Sequence, residues 1–249
     1  MRRWLYWTVV GSLALIGAMF AVHRAADVIT SPPVTGLSRQ DQQSFEQLAI
    51  LFDLKPGTSE YTHLRDNVVA STGKYYAYRA VTLLHVLPGT LILLMGLAQF
   101  SPWVRAHHMA FHRISGRVLL AAIIVAGLSG LFFGLVVPYG GMLESTATAF
   151  FGGFMLFAAA RAFVLVRRRD IARHREWMIR MFSVAIGIAV MRMLAIVAVL
   201  VVKAGPAVVN PRATGLLLWV GWSLSLAVAE LWIRRTRGGG LAAISLRGG

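Results

Sequence analysis

The sequence predicts an all-α protein, a polytopic transmembrane bundle of six spanning helices with both chain ends inside. Three observations carry that prediction. Six apolar runs each supply the ~20 residues that cross the hydrocarbon core of a bilayer. Charged residues make up 14% of the chain and hydrophobic ones 57%, where a soluble domain holds about 25% charged. The arginines collect at alternate ends of the apolar runs, as the positive-inside rule requires.

The chain opens with Arg2 and Arg3 before an apolar run from Trp4 to Val22. That run exceeds the ~7–15-residue core of a signal peptide, and His23-Arg24-Ala25-Ala26 offers no clean cleavage site. The expectation is an uncleaved first helix over residues 1–23. Residues 24–79 are the one long polar region and are expected outside. Ser38, with Asp41 three residues on, reads as a helix cap, which puts Phe45, Leu48, Ala49 and Phe52 on one face. This short amphipathic helix would lie over the bundle, and Pro56-Gly57 ends it. Five further runs, at about 80–100, 114–137, 146–167, 179–202 and 214–233, complete a membrane core over 80–233. Residues 234–249 form a basic cytoplasmic tail.

Charge sets the orientation. The segments placed inside carry fifteen of the 25 basic residues: Arg2 and Arg3; Arg105, Arg113 and Arg117; six arginines from Arg167 to Arg180; then Arg234, Arg235, Arg237 and Arg247. The two short outer loops carry Lys203 and Arg212. The net charge of +15 therefore reflects topology in the plasma membrane and contact with anionic headgroups at the cytoplasmic face, not nucleic acid. The absence of cysteine excludes disulfides, iron–sulfur clusters, thiolate zinc sites and thioether-linked haem. Histidine, carboxylate and arginine remain as site chemistry.

The helical faces hold the candidate site residues. On the second span His85, Gly89, Gly96 and Gln99 align at about 100° per residue, and Pro88 frees the carbonyl of Leu84. On the third, Gly116, Gly127, Gly130 and Gly134 share a face that suits close packing or room for a flat cofactor. On the fifth, His174 and Arg192 are 18 residues apart, five helical turns. Trp177 belongs at the interface, and Glu230 reads as the ion partner of Arg161. Arg192 lies deep in an apolar segment, where a charge marks a functional site, so it is expected to face the interior with a polar partner, His85 among the candidates.

Four strings together carry a resemblance: His85 in LLHVLPGTLILLMGLAQF, HRISGR at 112–117, RRRDIARHREWMIR ending at Arg180 with Arg192 beyond, and LWVGWSLSLAVAE at 218–230. They resemble the bacterial membrane-protein family catalogued as domain of unknown function 2306, over about residues 80–232. The resemblance implies a multi-pass membrane protein of unassigned activity. It also singles out His85, His112, Arg113, Gly116, Arg117, His174, Arg175, Trp177, Arg180, Arg192 and Glu230. This chain departs from the pattern with Leu119 where relatives tend to have Tyr, and Ser225 where they tend to have Asn.

Three functional classes stay open, as does the oligomeric state. The first is a redox protein binding b-type haem or quinone, with His85, His112 and His174 as candidate iron ligands. Here His112 and His174 would converge at the inner side with Arg113, Arg117, Arg175 and Arg180. The second is a carrier for a small anion, with its site at Arg192 and the Pro88 kink. The third is a non-catalytic assembly or scaffold protein. No nucleophile–base motif and no HExxH points to a hydrolase.

Overall fold

The computed structural model describes residues 3–31 and 36–245, with side chains for 7–31 and 36–237. Arg2 and Arg247 of the charge count lie outside the described residues. Among the described residues there is no strand. In chain order the helices are α1 (Arg3–Thr30), α2 (Arg39–Leu51), α3 (Ser59–Ala77), α4 (Arg79–Phe100), α5 (Pro102–His107), α6 (Met109–Val136), α7 (Gly141–Arg167), α8 (Ile171–Leu200) and α9 (Pro211–Ser245). A 3-10 turn covers Pro206–Val209. Six of them, α1, α4, α6, α7, α8 and α9, are long and apolar enough to cross a membrane.

Local chemistry sets the boundaries between spans. Asp170 caps α8 by accepting from the amide of Arg173 at 3.1 Å, and Arg169 before it adopts a left-handed φ of 61°. Asn210 accepts from the amide of Ala213 at 2.8 Å, and Pro211 begins α9 where its missing N–H is harmless. Ser101 and Pro102 open α5 the same way.

The spans pack around α8, which touches α1, α4, α7 and α9. Small residues permit the closeness. A Cβ on Gly187 of α8 would stand 2.2 Å from the ring of Trp222 on α9, whose indole donates to the carbonyl of Val184 at 3.0 Å. The glycine face of α6 is largely a packing face: a Cβ on Gly134 would meet Thr148 of α7 at 2.4 Å, and one on Gly127 would meet Leu156 at 2.6 Å.

At one end of the bundle α2 and α3 form a cover. Ser38 caps α2 as expected, accepting from the amide of Asp41 at 3.1 Å. Phe45 and Ala49 bury their face against Leu64 and Val68 of α3, with Leu48 and Phe52 beside them. Two features differ from expectation. Helix α1 runs on to Thr30, past the expected end at residue 23, because its polar residues are satisfied by the cover. The Arg24 guanidinium forms two bonds to Asp41, at 2.9 and 3.1 Å, and one to the phenol of Tyr76 at 2.7 Å. Asp27 in turn accepts from Tyr76 and from Ser38. The second difference is α3 itself, a 19-residue helix in what reads as loop. It is capped by Thr58 and held by Leu64, Val68 and Tyr76.

The loop between α6 and α7 is tied to the 3-10 turn by Tyr139, whose phenol donates to the carbonyl of Val209 at 2.6 Å. Burial, then the charge of Glu144, pushes this phenol up to about 12. A pKa raised by folding stabilises the fold fully below the unfolded value of about 10. That contribution is lost as pH climbs from there through 12. The stability difference between wild type and Tyr139→Phe should be constant below pH ~10 and shrink above it. Thermal unfolding of both proteins across that range checks this.

Candidate functional site

Beneath the cover lies a cavity of about 480 Å³. Its covered rim carries Arg24, Lys74, Tyr139 and Glu144; its depth is apolar, with Ile92, Leu93, Met155 and Trp222; His85 and Arg192 stand between. Arg192 is eight residues from the end of α8, about 12 Å of helix rise.

His85 is held in one orientation. Its Nδ1 lies 2.9 Å from the carbonyl of Ala126 on α6. A carbonyl oxygen only accepts, so Nδ1 carries the proton and the neutral ring keeps its lone pair on Nε2. Gly130 makes that seat: a Cβ there would approach the imidazole Cε1 to 3.0 Å. The sequence reading of the α6 glycines as packing or cofactor room therefore divides, with Gly130 giving its space to the histidine.

Arg192 faces the interior as expected and is within electrostatic reach of His85. The expected polar partner is different in kind. Nδ1 of His85 is already engaged, and the guanidinium instead stands 4.9 Å from the centroid of Phe20 on α1. The other cations on this cavity wall each have a carboxylate. Arg24 has Asp41, and Lys74 meets Glu144 at 3.0 Å. Among the described residues Arg192 has none.

Of the residues expected to share a site at the other, basic end, His112 lies within electrostatic reach of His174, Arg105 and Arg113. The Nδ1 of His174 bonds the carbonyl of Ala162 at 2.9 Å, joining α8 to α7. The Nδ1 of His112 is buried with no partner among the described residues. Neither histidine lines the cavity under the cover. Arg113, Arg117 and Arg175 are exposed. Arg180 is engaged by Glu230 through two bonds, at 2.5 and 3.0 Å, with Trp177 stacked 4.9 Å away. That pairing corrects the expectation for Arg161, which lies 6.0 Å from the Trp177 ring instead of meeting Glu230. Glu230 on α9 is committed to α8 instead: Arg180 holds its carboxylate, and the neighbouring Ile179 packs against Ala229 and Ile233 of α9. Gly116 lies beside Gln99, a Cβ there reaching its Oε1 at 3.4 Å, and Gln99 donates to Ser115 at 2.6 Å, tying α4 to α6. Pro88 sits inside α4 one turn from His85.

Several site residues escape a reading of the sequence alone: Arg24, Asp41, Lys74, Tyr76 and Glu144. One signal was there, since Arg24 and Asp27 are spaced three apart for one helical face directly beyond the first apolar run. The donor set also tests a haem. The cavity under the cover offers one imidazole, so a two-histidine haem does not fit there. No group of three histidines or carboxylates suited to a metal ion occurs among the described residues.

No curated protein and no solved structure matches the chain. The sequence profile of the family described as "Predicted membrane protein (DUF2306)" matches residues 82–233, from the first turn of α4 to the membrane part of α9. The match leaves out α1, α2 and α3, so His85 and Arg192 lie within the matched segment while Arg24 and Lys74 are contributed from outside it. With more than half its length matched, including both central residues of the cavity, this chain is a multi-pass helical membrane protein of the DUF2306 family.

Proposed function

We propose that the cavity under the cover binds a quinone-type headgroup, and that the protein serves membrane redox chemistry from a plasma membrane in which the cover faces outward and both ends face the cytoplasm. The observation that carries this reading is Arg192, a guanidinium on the cavity wall that has no carboxylate among the described residues. A charge at that depth is costly unless it is hydrated or bound, and a quinone carbonyl is an acceptor it can reach without a second full charge. His85 supplies the complementary group. With Nδ1 engaged, its Nε2 lone pair can accept the hydroxyl proton of a quinol. The apolar depth around Ile92, Leu93 and Trp222 suits the ring and the start of its tail. When bound, the quinone would supply the two-electron chemistry, and the residues here would orient it and hold the proton.

Titration of the purified protein with a short-chain quinone, read by quenching of tryptophan fluorescence, tests this. Arg192→Gln is expected to weaken binding by about tenfold to a hundredfold, as loss of one charge-assisted hydrogen bond implies. The same substitution should raise the stability of the ligand-free protein, since it removes an uncompensated charge. Wild type that fails to bind quinone, or Arg192→Gln that binds it equally well, would overturn the proposal. Displacement of quinone by a simple carboxylate would instead favour the anion-carrier reading.

A further inference from the structure

A second cavity, also about 480 Å³, opens at the basic end between α1, α5, α8 and α9. It is an elongated apolar groove, with Leu13, Phe182, Ile186, Val190, Leu194 and Val228 along its walls. Trp7 and Trp232 also line it, the residue type that marks the membrane–water boundary.

Two arginines, Arg105 and Arg175, complete the lining. Arg105 is half-buried on the short α5 and is fixed by donating to the carbonyl of Gln99 at 3.1 Å. Three arginines at this end have carboxylates: Arg173 has Asp170, Arg180 has Glu230 and Arg237 has Glu176. Among the described residues Arg105 and Arg175 have none, and they are near enough to repel one another. Burial first, and then the charge of Arg175, brings the Arg105 guanidinium below its ordinary range. Two like charges held together beside an apolar groove are complementary to one anion attached to a hydrocarbon chain.

We infer that this groove is a specific site for an anionic phospholipid, with the phosphate between Arg105 and Arg175 and an acyl chain laid along α8 and α9. The guanidinium forks match phosphate oxygens, and the groove matches the chain that a free anion lacks. The site is separate from the quinone cavity, with which it shares no lining residue. It therefore stands or falls by its own test.

The test is native mass spectrometry of the full chain in detergent, titrated with dioleoylphosphatidylglycerol and, as zwitterionic control, dioleoylphosphatidylcholine. Wild type should prefer the anionic lipid. Arg105→Gln with Arg175→Gln should weaken it about tenfold to thirtyfold, as the loss of two basic contacts near the membrane surface implies. Val228→Trp keeps both arginines, fills the groove from a position 43% exposed, and should weaken the same lipid. Arg113→Gln with Arg117→Gln, on exposed positions outside the groove, should leave binding within about twofold. Three results would each overturn the inference: unchanged affinity in the groove double variant, an equal loss in the exposed double variant, or displacement of the lipid from wild type by millimolar inorganic phosphate. The first denies the site, the second makes it diffuse surface charge, and the third makes it a free-anion site.

Discussion

Glu144→Ala is expected to destabilise the protein by about 3–5 kcal/mol, the range for breaking a buried ion pair by removing one partner. Glu144 is 7% exposed and serves two groups at once. One carboxylate oxygen meets the Lys74 ammonium at 3.0 Å, and the other accepts from the amide of Gly140 at 2.6 Å. Alanine leaves the lysine with the carbonyl of Val137 at 3.3 Å and the faces of Tyr75 and Phe133, none of which carries a negative charge. The amide of Gly140 loses its acceptor as well. Chemical unfolding in detergent measures the loss. Lys74→Leu combined with Glu144→Leu should lose less than Glu144→Ala alone, because no buried charge is left uncompensated. A double variant as unstable as the single one would mean that the carboxylate acts chiefly through Gly140.

Asp41→Ala is the second large effect, at about 3 kcal/mol, the lower end of the same range. The aspartate is 2% exposed and takes two bonds from Arg24. Its removal is partly offset because Asp27 remains 3.7 Å from the same guanidinium. The cap of α2 survives, since Ser38 bonds the amide of residue 41 and not its side chain. The loss should therefore appear as loosening of the cover against α1 more than as unwinding of α2. Hydrogen exchange localised to residues 39–77 distinguishes the two.

These two pairs also mark the limit of what the sequence discloses. The spans were legible because each is a long apolar run bounded by arginine, proline or a capping residue, as at Asp170 and Asn210-Pro211. The α2 cap was legible because Ser38 and Asp41 are local. Helix α3 was not, since only Leu64, Val68 and Tyr76 of its nineteen residues are buried and most of the rest is polar. Lys74 and Glu144 are separated by 70 residues, and Arg180 and Glu230 by 50. Helical periodicity gives the face on which each sits and carries no information about which helix that face meets. Arg192 was legible as an interior charge for the opposite reason: its depth in an apolar run is a local property. Its neighbour Phe20, on a helix far away in sequence, was not.

One consequence follows from the place of α8. Val184, Ile188 and Arg192 form part of the cavity under the cover, while Phe182, Ile186 and Val190 of the same helix form a wall of the groove at the basic end. The two spaces are lined by opposite sides of one helix. A ligand in either space that favoured a different rotation of this helix would change the shape of the other. By linkage the resulting shift in affinity is the same factor in both directions. Coupling between the two spaces would therefore need only a change in the orientation of α8, with no chain of side-chain contacts between them.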